Sequence, residues 1–507
     1  MKKNIIKLIN GIFCLLWLIV ASSCLELTEE PDGRTFATHY YNSIAQCESG
    51  VVASWNQWYE QWRGYRGFGG ADGAVGVGAG YLPTQGNSQW ELHYKSIVNC
   101  LTPVIKAVKS GSLDGQGIPQ ADINDVLGQA YFARAFNYFV LVQLWGPVPY
   151  IDENTPDVLG TPLTPESRMP ISQVYDRIVD DLKFASEHMF DYNGARPTRA
   201  NKWTAKALLA KVYLTMATNP LNKTDCYALA RDMADDVIVN SRYKLLPISE
   251  IFRNTNKNND EILFAWQNTA EYVDGAGKGS GPEDWGSWGG GAVRATYANN
   301  YPEQPRKYWY IRATWPVRLV GADGSTPLDP ATYVWRRWQD ANDNHPFNGK
   351  ILWPQINVEQ QTKENANASG NYPVLRITEQ YLIYAEAANM AEGAPSQKAV
   401  DRINAIINRA NTQFVSEIPE TSTVVGTEQL ATTSMTQAEF AQKIWDERYW
   451  ELLGEFSTYF DVLRHRKLRE VNTPDGLDNF SEETNYLYPI PKFDALFIGQ
   501  NPGYPIE

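Results

Sequence analysis

Residues 124–145 read NDVLGQAYFARAFNYFVLVQLW, and the order of their apolar side chains decides what kind of fold the chain can adopt. Val126, Ala130, Ala133, Phe136, Val140 and Leu144 recur at steps of three and four, which sets them along one face of an α-helix. Gly146-Pro147 follows directly. Proline cannot donate the next backbone hydrogen bond, so the helix must stop there. The same period returns in Val174, Ile178 and Leu182, in Ala205, Leu209, Val212 and Met216, and in Ile377, Tyr381, Tyr384 and Ala388. Thr436 and Glu439 stand at capping-box spacing, each able to satisfy the other's backbone N–H, and predict a helix through Leu453. The fold class is mainly α.

Small residues at Ala130, Ala133, Ala207 and Ala210 let neighbouring helices approach closely. Such short helices joined by turns look like degenerate tetratricopeptide-repeat helix pairs, although no strict period of ~34 residues survives. Three or four pairs can stack, each burying its apolar stripe on the next.

Two stretches break this texture. Eight glycines lie between Gly64 and Gly80, and eight more between Gly275 and Gly291. Trp55, Trp58, Trp62 and Trp90 lie in or near the first stretch. Trp266, Trp285, Trp288, Trp309, Trp315, Trp335, Trp338 and Trp353 flank, occupy or follow the second. Glycine lets backbone turn sharply and approach a ligand, and a rigid indole offers a broad apolar face with one polar N–H. That combination suits a sugar ring, whose C–H face stacks on an aromatic plane while its hydroxyls seek polar partners. Plugging an irregular core between loops is the competing use of the same rings. Trp285 and Trp288 can project from one loop, with Arg294 and Tyr297 close behind as polar contacts. In the first stretch Trp62, Tyr65 and Asp72 are the candidates, Asp72 also fitting an ordinary Asp-Gly turn.

The N-terminus has its own signature. Lys2, Lys3 and Lys7 precede an apolar run from Gly11 to Ala21, then Ser22, Ser23 and Cys24. This order is a secretion leader ending at an acceptor cysteine for a bacterial lipid anchor, so the mature chain is expected to begin at Cys24. The run is too short for the ~20 apolar residues of a transmembrane helix. Losing the three lysines with the leader moves the formal charge from −13 to −16, a surface that repels phosphate backbones and excludes nucleic-acid binding. Cys47, Cys100 and Cys226 remain, without C-x-x-C spacing. Buried thiols or one Cys47–Cys100 bridge both fit.

Seven segments in order carry a resemblance: QWELHYKSIVN (89–99), AYFARAFNYFVLVQLWGPVPYID (130–152), VYDRIVDDLKFA (174–185), AKALLAKVYL (205–214), LRITEQYLIYAEAA (375–388), ERYWELLGEFSTYFDVL (447–463), and the tail from Pro489-Ile490-Pro491 to Gln500-Asn501-Pro502-Gly503-Tyr504. With these the chain resembles the SusD/RagB family of outer-membrane nutrient-binding lipoproteins. The resemblance implies a SusD-like fold in which tetratricopeptide-like helix pairs support an irregular, loop-rich ligand face. It implies an externally facing lipoprotein that captures oligosaccharides for a SusC-like TonB-dependent transporter, without catalysis. A RagB-like peptide-binding import role is the alternative, and a surface glycoside hydrolase a more distant one. The acidic run Glu26, Glu29, Glu30 and Asp32 is similar to surface-export signals of this group. Family sugar contacts come from the two Gly/Trp regions, and Trp90, opening the first matching helix, becomes the foremost stacking candidate. The expected layout is leader 1–23, tether 24–35, an N-terminal helical region 36–245 and a C-terminal region 246–507 with the aromatic insertion.

Glu447, Glu451 and Glu455 recur every four residues on one helical face. Like charges so spaced destabilise a helix unless cations answer them, and Arg376, Arg409, Arg448 and Arg464 are the candidates. A paired-carboxylate hydrolase would instead need two acids flanking a cleft. His39, His93, His188, His345 and His465 are scattered singly, and no H-E-x-x-H, G-x-S-x-G or P-loop appears. Asp340 to Asn344 begins like a calcium loop, but His345 replaces the required glycine and Ile351 the closing glutamate. The sequence therefore offers no catalytic set, metal site or cofactor.

Overall fold

The computed structural model describes residues 40–65, 87–155, 164–267, 293–312, 314–317, 334–337, 346–352, 371–414, 422–472 and 486–502. Cys24, Asp72, Trp285, Trp288 and the Asp340–Asn344 stretch lie outside them. Helix α1 spans Ile44–Tyr65. Helices α2 (Asn87–Lys95) and α3 (Thr102–Lys109) are joined through a π-helical turn at Ser96–Leu101. Helix α4 spans Gln120–Trp145 and ends at Gly146, whose φ of 73° is readily adopted only by glycine. The periodic stripe lies in its middle, yet the opposite face is buried too, Arg134 and Asn137 included. α4 is thus a central helix, and each fully buried Phe or Leu on it contributes about 1.5–3 kcal/mol.

Against α4 packs α5 (Ile171–His188), then α6 (Lys202–Ala217), then α7 (Cys226–Asn240). Asn201 starts α6 through its side chain, which accepts from Trp203 N (2.9 Å) and Thr204 N (3.2 Å). The short strands β1 (Val148–Pro149) and β2 (Arg168–Met169) pair antiparallel, and β3 (Ile262–Trp266) pairs antiparallel with β4 (Tyr372–Arg376), two segments far apart in sequence. β4 runs into α9 (Ile377–Glu392), which packs on α7, on α10 (Gln397–Thr412) and on α11 (Gln437–Glu451). A short helix between the strands, α8 (Pro305–Tyr310), belongs with α10. Thr436 and Glu439 form the expected capping box, with N–H···O distances of 2.7 and 3.2 Å. α12 (Ser457–Arg464) follows.

The carboxylates of Glu447 and Glu451 in α11, and of Glu455 just beyond its end, are answered in the buried core. Arg306 of α8 forks onto Glu447 and reaches Glu451 at 2.7 Å. Glu451 also accepts from Arg376 and Arg409, each at 3.0 Å. Glu455 accepts from Arg376 (2.7 Å) and Lys350 (2.6 Å). Arg376 and Arg409 therefore act as expected, whereas Arg448 and Arg464 serve a neighbouring network of Asp461, Glu379 and Glu386. Burial pushes the Glu451 carboxyl up, but Arg409, Arg376 and Arg306 outweigh it and hold it far below the usual range. Such networks fix geometry more than they add stability, because desolvation absorbs most of the Coulomb attraction.

Cys47, Cys100 and Cys226 are buried free thiols, so the bridge is absent. The tail clasps the end of α4: Asn501 donates to the Trp145 and Tyr488 carbonyls, and Trp145 Nε1 donates to Pro489 O at 3.1 Å. Between those contacts the chain is not extended, since Lys492–Ile498 forms helix α13. No described helix is long and apolar enough to cross a membrane.

Candidate functional site

A cavity of about 460 Å³ opens between α1, the first half of α4, the Thr198–Ala200 stretch ahead of α6, and the end of β3. Its size falls within the ~300–1,000 Å³ usual for small-molecule sites. α1 carries its wall residues Val52, Trp55 and Asn56 and runs on to Tyr65, where the first glycine-rich stretch begins. β3 contributes Phe264, Ala265 and Trp266, and the second stretch follows. The second Gly/Trp segment therefore follows directly on the cavity wall, and the first follows the helix that supplies another wall.

The floor is aromatic. Trp55, half-buried, sits on Phe264 with ring centroids 5.0 Å apart, and on Phe132 and Phe136 at 5.9 and 6.0 Å. Trp266 packs against Phe136 and Tyr372. Strand alternation turns Phe264 and Trp266 toward the same core, while Ala265 belongs to the other one. Register shifts in the β3–β4 pairing fall at Phe264 and Ala265, a device that re-aims side chains at a sheet end.

Polar groups ring this floor. Gln129 gives its Nε2 to Tyr192 Oη at 2.5 Å and, more weakly, to Asp125 at 3.5 Å. Its Oε1 has no partner among the described residues and stands as an acceptor at the cavity wall. Tyr192 donates to Asp125 at 2.6 Å. Burial and then the Asp125 carboxylate raise the Tyr192 hydroxyl far above its ordinary range, so it stays a donor. Gln267 is held by Asn258 (3.0 Å) and Asn371 (2.8 Å), an amide mesh where the second Gly/Trp stretch departs. Arg199 reaches Glu48 at 3.2 Å, and Arg196 shares that carboxylate at 3.1 Å.

The expected contact residues divide. Trp90 is 5% exposed, wedged against Tyr94 and Trp145 at 4.9 and 5.4 Å, and interacts with Asp494 of α13. It has no open face, so the stacking platform expected there is corrected to a packing residue. Tyr297 is likewise 5% exposed and donates its hydroxyl to the Tyr449 carbonyl at 2.8 Å within the second core, which corrects its expected role as a polar contact. Arg294 is half-buried, immediately ahead of the short helix Ala295–Asn300, and does not line the cavity. The backbones of Trp62 and Tyr65 belong to α1, while their side chains, like Asp72, Trp285 and Trp288, lie outside the described residues. Residue-level reading did not single out Trp55, whose half-buried ring lines the cavity, or Trp266, which lines it while only 5% exposed and so serves as packing behind Trp55. Their available signal was position, one on the helix entering the first glycine run and one ending the strand before the second.

A second cavity of about 580 Å³ lies beside Tyr175, Phe460 and Tyr486, but its Arg464 is spent on Glu386 and Asp461. Among the described residues no three His, Cys, Asp or Glu side chains gather as metal ligands.

The described residues thus form a helical scaffold with an aromatic-lined cavity between α1 and β3, and the comparisons give it a lineage. The family model "Starch-binding associating with outer membrane" matches residues 20–214, and the SusD family model matches residues 257–495. The chain belongs to the SusD/RagB family. It is 29% identical over 411 residues to SusD-like protein P2 of Formosa agariphila, covering 75% of this chain and 74% of that one. Among solved structures it is similar to a SusD superfamily protein of Parabacteroides distasonis, with a TM-score of 0.66, 23% identity, and coverage of 82% and 85%. It is also similar to surface glycan-binding protein A of Bacteroides thetaiotaomicron, with a TM-score of 0.65, 18% identity, and coverage of 92% and 100%. These structures share the fold.

Proposed function

We propose that this chain is a surface glycan-binding lipoprotein, anchored through Cys24, that captures oligosaccharides outside the outer membrane and hands them to a SusC-like TonB-dependent transporter. The observation that carries the reading is the cavity in which the half-buried Trp55 ring, backed by the buried Phe264 and Trp266, stands among Asn56, Gln129 and Gln267. Apolar rings with neutral amides match the two faces of a sugar. The names of two relatives in structure, surface glycan-binding protein A and a laminarin-binding SusD-like protein, point the same way. We read the site as non-catalytic: the described residues that line it include no carboxylate, whereas glycoside hydrolysis uses two.

The test is a polysaccharide and peptide array probed with the purified chain, followed by assay for released reducing ends. Saturable retention of a glycan with no new reducing ends supports the proposal. Retention of peptides alone would move the reading to peptide import, and sugar release would make the protein an enzyme.

A further inference from the structure

We infer that the glycan taken by this cavity carries an anionic substituent, a uronate carboxylate or a sulfate ester, and that Arg199 reads it. The inference rests on the binding role proposed above. Among the described residues lining the cavity, Arg199 is the one that carries a charge. Its side chain is 24% exposed, and Nη2 alone is engaged, by Glu48 at 3.2 Å. Its Nε and Nη1 donors have no partner among the described residues, which leaves one N–H edge of the guanidinium unspent. Glu48 is shared, because it also holds Arg196 at 3.1 Å, two cations on one carboxylate.

The setting makes this more than a stray surface arginine. The whole chain has a formal charge of −13, so its average surface repels acidic polysaccharides, and a pair of arginines sharing one carboxylate beside the cavity runs against that average. Asp125 stands behind Gln129, but its two oxygens are taken by Phe190 N (2.8 Å), Tyr192 Oη (2.6 Å) and Gln129, and it does not line the cavity. It offsets the long-range field of the arginine pair without touching a ligand. Recognition then comes from contact, through the planar N–H fork that suits carboxylate and sulfate oxygens alike, and little from steering at a distance.

The experiment measures binding of the purified chain to acidic polysaccharides paired with their neutralised forms: polygalacturonate with its carboxyl-reduced product, and carrageenan with its desulfated product, alongside the neutral β-glucan laminarin. The wild type is expected to prefer an acidic member over its neutralised partner by about tenfold or more, the scale of one charge-assisted hydrogen-bonded contact. Arg199→Gln should abolish that preference with an unchanged melting temperature, and Arg199→Lys should restore part of it. Which pair shows the preference tells carboxylate from sulfate. Equal affinity within both pairs, or binding of laminarin alone, overturns the inference and leaves glycan binding standing. Binding of none of these, nor of any glycan on the wider array, overturns both.

Discussion

Arg134 shows how one residue is fixed by its neighbours and what that costs as conditions change. From the middle of α4 it forks onto Asp181 of α5 at 2.7 and 2.8 Å and reaches Glu153 at 2.6 Å, where Lys109 joins at 2.6 Å. Burial raises the Glu153 carboxyl, but Arg134 and Lys109 outweigh it and bring it down to about 2. A carboxyl depressed by folding stabilises the native state above its unfolded value, and that contribution is lost as the pH falls toward the folded one. Glu153→Gln is therefore expected to unfold at lower urea than the wild type at pH 7, by about 1 kcal/mol. The gap should shrink below pH about 4.5 and close near pH 2. A gap independent of pH would show that the pair adds nothing through its charge. Trp90 and Tyr297 teach a different lesson at this scale. Neighbouring glycines told that the backbone turns, not which way a ring faces, and both rings face inward because Trp145 and Tyr449 offer them packing and a hydrogen bond.

Elements were far more legible than side-chain directions. The period in residues 124–145 anticipated α4, which starts four residues earlier at Gln120, and the Thr436–Glu439 spacing anticipated α11, whose last helical residue is Glu451. Local capping and periodicity depend on residues three or four apart, so a single sequence displays them. The partners of the α11 carboxylates needed the fold. Arg376 and Arg409 could be named, but Arg306 and Lys350 arrive from segments more than a hundred residues away. Glu451 is the hub, taking Arg306, Arg376, Arg409 and the Tyr310 hydroxyl. Glu451→Gln leaves three buried guanidinium groups short of a charge and is expected to cost about 3–5 kcal/mol. Urea unfolding reads this as a lower midpoint at unchanged slope. A cost under about 1 kcal/mol would mean that the arginines find other partners and that the network is not organised around this residue.

At the scale of the whole molecule, the α4 to α7 stack and the α9 to α11 group share one core, and the cavity opens at its side. There α1 passes, β3 ends, and Trp55 lies over Phe264 with Trp266 packed behind. Composition pointed to the two Gly/Trp regions, since twelve of the seventeen tryptophans gather around them. It could not say that α1 and β3 line one cavity, because their meeting depends on β3 pairing with a strand more than a hundred residues on. Ligand binding on this floor is the expectation to test. Its most direct measurement is calorimetric titration of the best-retained oligosaccharide into wild type and Trp55→Ala, with thermal unfolding run alongside. We expect affinity to fall at least about tenfold, the cost of losing a central aromatic anchor, while both proteins remain folded at the titration temperature. Full affinity in a folded Trp55→Ala protein would contradict the account and place the ligand elsewhere.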